Sequence, residues 1–367
     1  MNSTEKKETA HHKKKLNLIQ LFRGIAALLV VLAHGSLIFH ENLQKAFLFD
    51  IFNFGGSGVD FFFVLSGFII LYVHHHYIGN PSKLKSFLIK RFVRIYPIYW
   101  VVLTGKLFAS LGLSDSATPM INLIEVVKAY LLFPQDRIIL SEYFLGVSWT
   151  LTYEVFFYLI FGLLIYLQPK FYLPIIGILL SGVILNFTNI VQVPENSVLL
   201  QFLFSPLHIE FILGCLAAYV VTQNKITYGS QLLYLGLFLY TLAAINTNYN
   251  LLPVSNVITY GIPATILVIG AVALEISKTV NVPQMLILLG DASYSIYLIH
   301  GFVINNLVKV VLNLQIIDFF TQNSLIFSLF AIFNAVMAVI IGCIMYLYLE
   351  KPLLSILRQS TKPQLSR

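Results

Sequence analysis

The residues able to do chemistry in this chain are few, and most of them interrupt long apolar runs. In residues 21–34, Arg23 and His34 are the only groups that can carry charge, and they are eleven positions apart. On a helix that spacing is about three turns, so both side chains share one face about 16 Å apart. Arg23 either snorkels to a headgroup layer or offers its guanidinium to an oxygen-rich ligand. His34 either packs through a hydrogen bond or acts as a general base in a low-dielectric pocket. Asp60 follows the Gly55-Gly56-Ser57-Gly58 turn and opens the run Phe61-Phe62-Phe63-Val64-Leu65-Ser66. It could cap a helix or, at a depth like that of His34, orient the imidazole.

Three further groups follow. Arg91 and Arg94, at i and i+3, present two guanidinium forks on one helix face just before Tyr96, Pro97, Tyr99 and Trp100. Such a pair suits phosphate groups and equally suits a basic membrane anchor with an aromatic belt. Glu154 lies about two turns beyond Ser148-Trp149-Thr150, and a carboxylate there must be paired, protonated or wet. The block from Gly290 to His300, with Tyr294 and Tyr297, puts His300 near mid-membrane, and Glu350 closes the last apolar run. Glu210 and His208 are similar but less distinctive. The triplet His74-His75-His76 lacks a spaced set of partners and reads as a solvated boundary run rather than a metal site. Cys215 and Cys343, the only cysteines, sit in apolar runs and read as small hydrophobes.

The elements that must position these groups are membrane helices. Of 367 residues, 58% are hydrophobic and 11% charged, less than half the roughly 25% charged share of a soluble domain. That excludes a disordered chain, a disulfide scaffold and a dedicated nucleic-acid binder. Apolar stretches of about 20 residues, the length that crosses a bilayer, predict ten spans: 17–39, 54–74, 95–113, 144–167, 171–190, 200–222, 230–247, 256–276, 285–312 and 325–349. The stretch 121–134 is shorter, carries Glu125 and Lys128, and reads as a re-entrant or interfacial helix. The expected fold class is an all-α polytopic integral membrane protein with both termini cytoplasmic. In that arrangement 17 of the 23 basic residues face inward, as lysine and arginine do in cytoplasmic loops. A basic cytoplasmic leader over 1–15, a membrane-embedded domain over 16–353 and a cytoplasmic tail over 354–367 follow. The first apolar run is too long for a cleaved signal peptide.

With these residues in hand, the chain resembles the membrane-bound acyltransferase 3 family of bacterial O-acyltransferases. The matching elements are Arg23 with His34, the 58–68 block Gly-Val-Asp-Phe-Phe-Phe-Val-Leu-Ser-Gly-Phe, Arg91-x-x-Arg94-Ile-x-Pro97-x-Tyr99-Trp100, Ser148-Trp149-Thr150-Leu151-x-x-Glu154, Ser293-Tyr294-Ser295-x-Tyr297-Leu298-x-His300 and Glu350-x-Pro352. Six elements in order span nearly the whole chain. The resemblance implies transfer of an acyl group, commonly acetyl, from cytoplasmic acyl-coenzyme A to a hydroxyl of a surface glycan. Lipopolysaccharide O-antigen, exopolysaccharide or a lipid-linked glycan are the acceptors it suggests, and the bacterial inner membrane the location. The chain ends soon after Pro352, so a stand-alone form without the SGNH-type domain of some relatives is expected.

On this reading His34, Asp60 and Glu154 are the catalytic group, with either carboxylate holding the imidazole tautomer. Arg23, Arg91, Arg94, Tyr99 and Trp100 bind the donor. Ser66, Ser148, Tyr294, Tyr297, His300 and Glu350 contact the acceptor or support the site. Acyl-coenzyme A is a substrate, and neither a tightly bound cofactor nor a metal is expected. Intramembrane charges would also suit a transporter or flippase of an acyl donor or lipid-linked glycan, but no inverted repeat of broken helices is visible.

Overall fold

The computed structural model describes residues 16–45, 48–113 and 122–360. The expected leader, 1–15, and the end of the expected tail, 361–367, lie outside them. The described residues form helices and the loops between them, with no strands. Ten helices are long and apolar enough to cross a membrane, from Asn17–Leu43 to Ser324–Arg358. An even number of spans brings the two described ends to one face. Large side chains such as Phe108, Ile178 and Leu325 stand exposed on the outside of the bundle, an arrangement that lipid rather than water satisfies.

The helices are α1 (Asn17–Leu43), α2 (Gly58–His74), α3 (Leu84–Leu113), α4 (Leu123–Leu131), α5 (Arg137–Tyr143), α6 (Ser148–Tyr166), α7 (Pro169–Phe187), α8 (Val198–Leu203), α9 (Leu207–Gln223), α10 (Gly229–Tyr249), α11 (Ile262–Ser277), α12 (Gln284–Asp291), α13 (Ser293–Asn313), α14 (Ile317–Thr321), α15 (Ser324–Met345) and α16 (Lys351–Ser360). Three boundaries differ from expectation. The third span begins at Leu84 rather than 95, because Lys85, Lys90, Arg91 and Arg94 continue the helix with their long stems along its sides. The predicted 285–312 span is two helices, α12 and α13, joined at Ala292. The last span runs on through a π turn at Tyr346–Glu350 into α16, so the expected boundary at 353 falls inside a helix.

Without a hydrophobic force between helices in lipid, close packing depends on small residues at the crossings. Helices α2 and α9 cross at Gly67 and Gly214: a methyl on Gly67 would strike the Phe211 carbonyl, and one on Gly214 the Val64 carbonyl. A carboxylate far away in the chain finishes α1. The buried Glu275 of α11 accepts the backbone N–H of Asn17 (2.7 Å) and of Leu18 (3.0 Å), two donors that an α-helix leaves without partners at its start.

The short stretch 121–134 does form a separate helix, α4, and its setting explains the aromatic cluster after Arg94. Tyr96 Oη, Tyr99 Oη and Trp100 Nε1 donate to the carbonyls of Leu131 (3.0 Å), Ala129 (2.8 Å) and Tyr130 (2.8 Å). These are last-turn carbonyls, which the end of a helix leaves without an i+4 partner; Ala129 also accepts from the Leu132 N–H. Residues 96–100 lie midway along the 30-residue α3, so the end of α4 sits at membrane depth. Irregular backbone is tolerated there only when protein satisfies it.

Candidate active site

A cavity of about 640 Å³ opens among α1, α2, α3, α6, α13 and α16. At the face that carries the described ends, its wall holds five cations: Arg23, Arg91, Arg94, Lys351 and Arg358. Against them stand the carboxylates Glu154 and Asp291 in the wall and Glu350 behind Arg94. A walled-in excess of positive charge concentrates anionic ligands, and guanidinium forks match phosphate oxygens.

Each arginine is held in place by neighbours. Arg23 donates to Ser293 Oγ at 3.0 Å and to Gln20 Oε1 at 3.2 Å, so the start of α13 faces α1. Arg91 donates to His74 Nε2 at 2.6 Å, and its guanidinium lies 5.5 Å from the Tyr158 ring centroid. His74 is therefore buried against α3, unlike the exposed His75 and His76, and the expectation of a solvated triplet fails at its first member. Arg94 pairs with Glu350 at 2.8 Å, and the second Glu350 oxygen accepts from Ser295 Oγ at 2.6 Å. The carboxylate of Glu350 thus ties α3, α13 and the π turn together.

Deeper in the wall, Glu154 accepts from Ser66 Oγ at 3.4 Å and, more closely, from Tyr158 Oη. At the inner limit, Tyr297 Oη bonds Thr150 Oγ1 at 2.8 Å and its ring meets Phe62 at 6.2 Å. Behind Tyr297 stands His300, with ring centroids 5.9 Å apart. His300 Nε2 lies 2.7 Å from His34 Nδ1, with the two rings nearly parallel.

Hydrogen-bond bookkeeping fixes the tautomers. His300 Nδ1 is 2.8 Å from the Tyr297 carbonyl, which can only accept. A neutral His300 therefore carries its proton on Nδ1 and accepts at Nε2. His34 must donate from Nδ1, which leaves the lone pair on His34 Nε2. That is the form a general base requires.

The structure brings together Arg23, Ser66, Arg91, Arg94, Glu154, Tyr294 and Tyr297 in one wall, with His300 and His34 one layer behind it and Glu350 behind Arg94. It does not bring Asp60 or Glu154 to the imidazole. His34 pairs with His300, while Asp60 faces Glu210 of α9 across the outer ends of their helices. Both expected orienting carboxylates are thus replaced by a second imidazole, because Asp60 and His34 point to different helix interfaces. Tyr99 and Trp100, expected at the donor, are away from the cavity wall and hold α4. Ser148 is buried and donates to the Leu145 carbonyl at 2.6 Å, a turn of its own backbone.

Lys351 and Arg358 were not among the expected site residues and counted only toward the inward-facing basic charge. Their spacing of seven along an amphipathic stretch was the signal, since it places both on one face of a helix. Ser293, Thr150 and Tyr158 were also missed, though the first two lie within the quoted motif blocks. Among the described residues no group of three or more His, Cys, Asp and Glu side chains could hold a metal ion.

The fold and this site define a multi-pass membrane protein with a cation-lined cavity backed by a pair of stacked histidines. The comparisons with known proteins name the class. An acyltransferase-domain model, that of the acyltransferase 3 family, matches residues 16–348. The chain belongs to this family, and it is an acyltransferase that moves groups other than aminoacyl. It is 31% identical to the exopolysaccharide production protein ExoZ of Rhizobium meliloti (strain 1021) over 310 residues, 83% of this chain and 90% of that protein. It is 26% identical to the putative acetyltransferase ORF330 of Acidianus two-tailed virus, covering 81% and 86% of the two chains. It is also 26% identical to nodulation protein 10 of Rhizobium leguminosarum bv. viciae, covering 82% and 85%. No solved structure matches.

Proposed function

We propose that the protein transfers an acyl group, acetyl in the first instance, from acyl-coenzyme A to a hydroxyl of an exopolysaccharide-type glycan. The observation that carries this reading is the placement of Arg23, Arg91, Arg94, Lys351 and Arg358 around one end of a cavity whose other end is backed by the His34–His300 pair. Coenzyme A carries its phosphates at one end and its thioester at the other, which is the polarity of the cavity. The cationic end faces the cytoplasm of a bacterial inner membrane, in keeping with the inward excess of basic residues. The acceptor reading draws on the printed name of the exopolysaccharide relative.

In the transfer, His34 Nε2 takes the proton of the acceptor hydroxyl as its oxygen attacks the thioester carbon. His300 holds His34 Nδ1–H in the required tautomer, in the position an orienting carboxylate takes in other triads. The C–S bond breaks, and the coenzyme A sulfur leaves with the proton returned from His34. Tyr297, its hydroxyl hydrogen-bonded to Thr150 Oγ1, fixes the wall between the cavity and this pair. Glu154, held by Ser66 and Tyr158, shapes the wall along which the thioester arm runs.

The test is direct. Purified protein in lipid nanodiscs is given acetyl-coenzyme A labelled in the acetyl group and de-O-acylated surface polysaccharide from the source cells. Label is expected in the polysaccharide, released by mild alkali as an ester would be. Absence of labelled ester with folded protein overturns the reading.

A further inference from the structure

A second cavity, of about 370 Å³, lies at the opposite face from the cationic mouth, between the α4–α5 segment, the start of α6 and α8. Its volume is in the range of small-molecule pockets, about 300–1,000 Å³. Nothing in the donor chemistry uses it. Its wall combines the aromatic side chains Trp149 and Tyr153 with the polar side chains Gln135, Arg137 and Gln201 and the carboxylates of Asp136 and Glu195. Arg137 lies 3.8 Å over the Trp149 ring, and the Tyr153 hydroxyl faces Ser205 and Arg137.

Two details point to a ligand rich in hydroxyls. Gln135 donates through Nε2 to the Glu125 carbonyl, which assigns the amide, and its buried Oε1 has no donor among the described residues. A buried acceptor without a partner costs about 1–3 kcal/mol unless a ligand or water supplies the proton. The two aromatic side chains, one of them capped by the Arg137 guanidinium, put apolar surface beside polar groups, the combination that matches a sugar ring with its C–H face and its rim of hydroxyls.

The cavity also borders the large one. On α6, Thr150, Leu151 and Glu154 line the large cavity, while Trp149, Thr152 and Tyr153 line the small one. Phe63 stands between them: it lines the large cavity and packs on Trp149 and Tyr153, with centroids 6.3 and 5.8 Å away. Phe63 and the α6 helix separate the two cavities.

We propose that this second cavity is the subsite that grips the glycan acceptor, with a sugar ring against Trp149 and Tyr153 and its hydroxyls on Gln135, Arg137 and Gln201. The inference rests on the acyltransferase reading for the identity of the glycan. The two can fail separately.

Trp149 is one of only two tryptophans, so a Trp100→Phe background leaves it as the sole indole. Alkali-treated oligosaccharides cut from the source cells' surface polysaccharide are titrated against this protein. A saturable change in Trp149 emission is expected, and acetyl-coenzyme A alone should not reproduce it. In the wild-type background, Gln135→Leu and Arg137→Ala should each raise the KM for the oligosaccharide at least tenfold, with acetyl-coenzyme A affinity and acceptor-free thioester hydrolysis unchanged. Transfer with wild-type KM in both variants overturns the subsite while leaving the enzymatic reading standing. Oligosaccharide binding at Trp149 without any acyl transfer upholds the subsite and overturns the enzymatic reading. A flat fluorescence titration in folded protein overturns the subsite.

Discussion

His34 Nδ1 and His300 Nε2, 266 residues apart in the chain, lie 2.7 Å from each other in nearly parallel rings. His300 is wholly buried and anchored to the Tyr297 carbonyl one turn back. One imidazole thus fixes the proton of the other. It does so without placing a carboxylate, with its desolvation cost, in the middle of the bundle.

Removing either ring should affect turnover rather than binding. General-base catalysis contributes typically about 10²–10⁴-fold, so His34→Ala should lower kcat by that order with little change in the KM for acetyl-coenzyme A. His300→Phe keeps the ring contact with Tyr297 but removes the acceptor for His34 Nδ1–H, and it should cost at least tenfold in kcat. Steady-state transfer assays on protein with an unchanged thermal melt would check both. Near-normal kcat in His34→Ala would remove His34 from the chemistry.

Donor affinity should follow the cationic wall and not the overall charge. A charge-assisted hydrogen bond contributes about 1.5–3 kcal/mol, so Arg91→Ala and Arg358→Ala should each weaken coenzyme A binding by about 10- to 100-fold. Arg137→Ala, on the opposite face, should leave that affinity unchanged. Isothermal titration with coenzyme A at two salt concentrations would separate a specific site from general attraction.

The Arg94–Glu350 pair is a structural tie, and its two halves are unequally buried: 26% of the Arg94 side chain is exposed but only 1% of Glu350. Losing one partner of a buried pair typically costs about 3–5 kcal/mol because the other charge is stranded. Glu350→Ala and Arg94→Ala should each lower the melting temperature sharply. The double variant Arg94→Met/Glu350→Leu should recover much of the loss. Thermal unfolding in one detergent across the set measures this directly.

Packing at the α2–α9 crossing should tolerate no side chain. Gly214→Ala would push a methyl into the Val64 carbonyl, and overpacking of this kind costs about 1–3 kcal/mol. Gly105→Ala, where a methyl meets nothing within 4 Å, is the control. The melting temperature should fall in the first variant and not in the second.

Much of this protein was legible in its residues alone. The ten spans follow from apolar runs of bilayer length, since that property is local and additive along the chain. Arg23, Arg91, Arg94 and Glu154 were marked by the cost of placing charged groups there and Tyr297 by the family resemblance, and they do share one cavity. The helix ends were less legible: α3 starts eleven residues early and α16 continues past Pro352, because basic stems extend helices that hydropathy would end.

Partnerships were decided only by tertiary structure. The type and spacing of residues identified His34 as a candidate base but assigned its tautomer to Asp60 or Glu154, and the packed bundle gave it His300 instead. Tyr99 and Trp100 looked like a donor site and are the clamp on α4. Lys351 and Arg358 counted only toward the inward-facing charge and line the cavity. The reason is common to all three. A side chain's solvent cost is written in its own neighbourhood of the chain, whereas its partner depends on which small residues let which helices approach, a property of pairs of helices hundreds of residues apart.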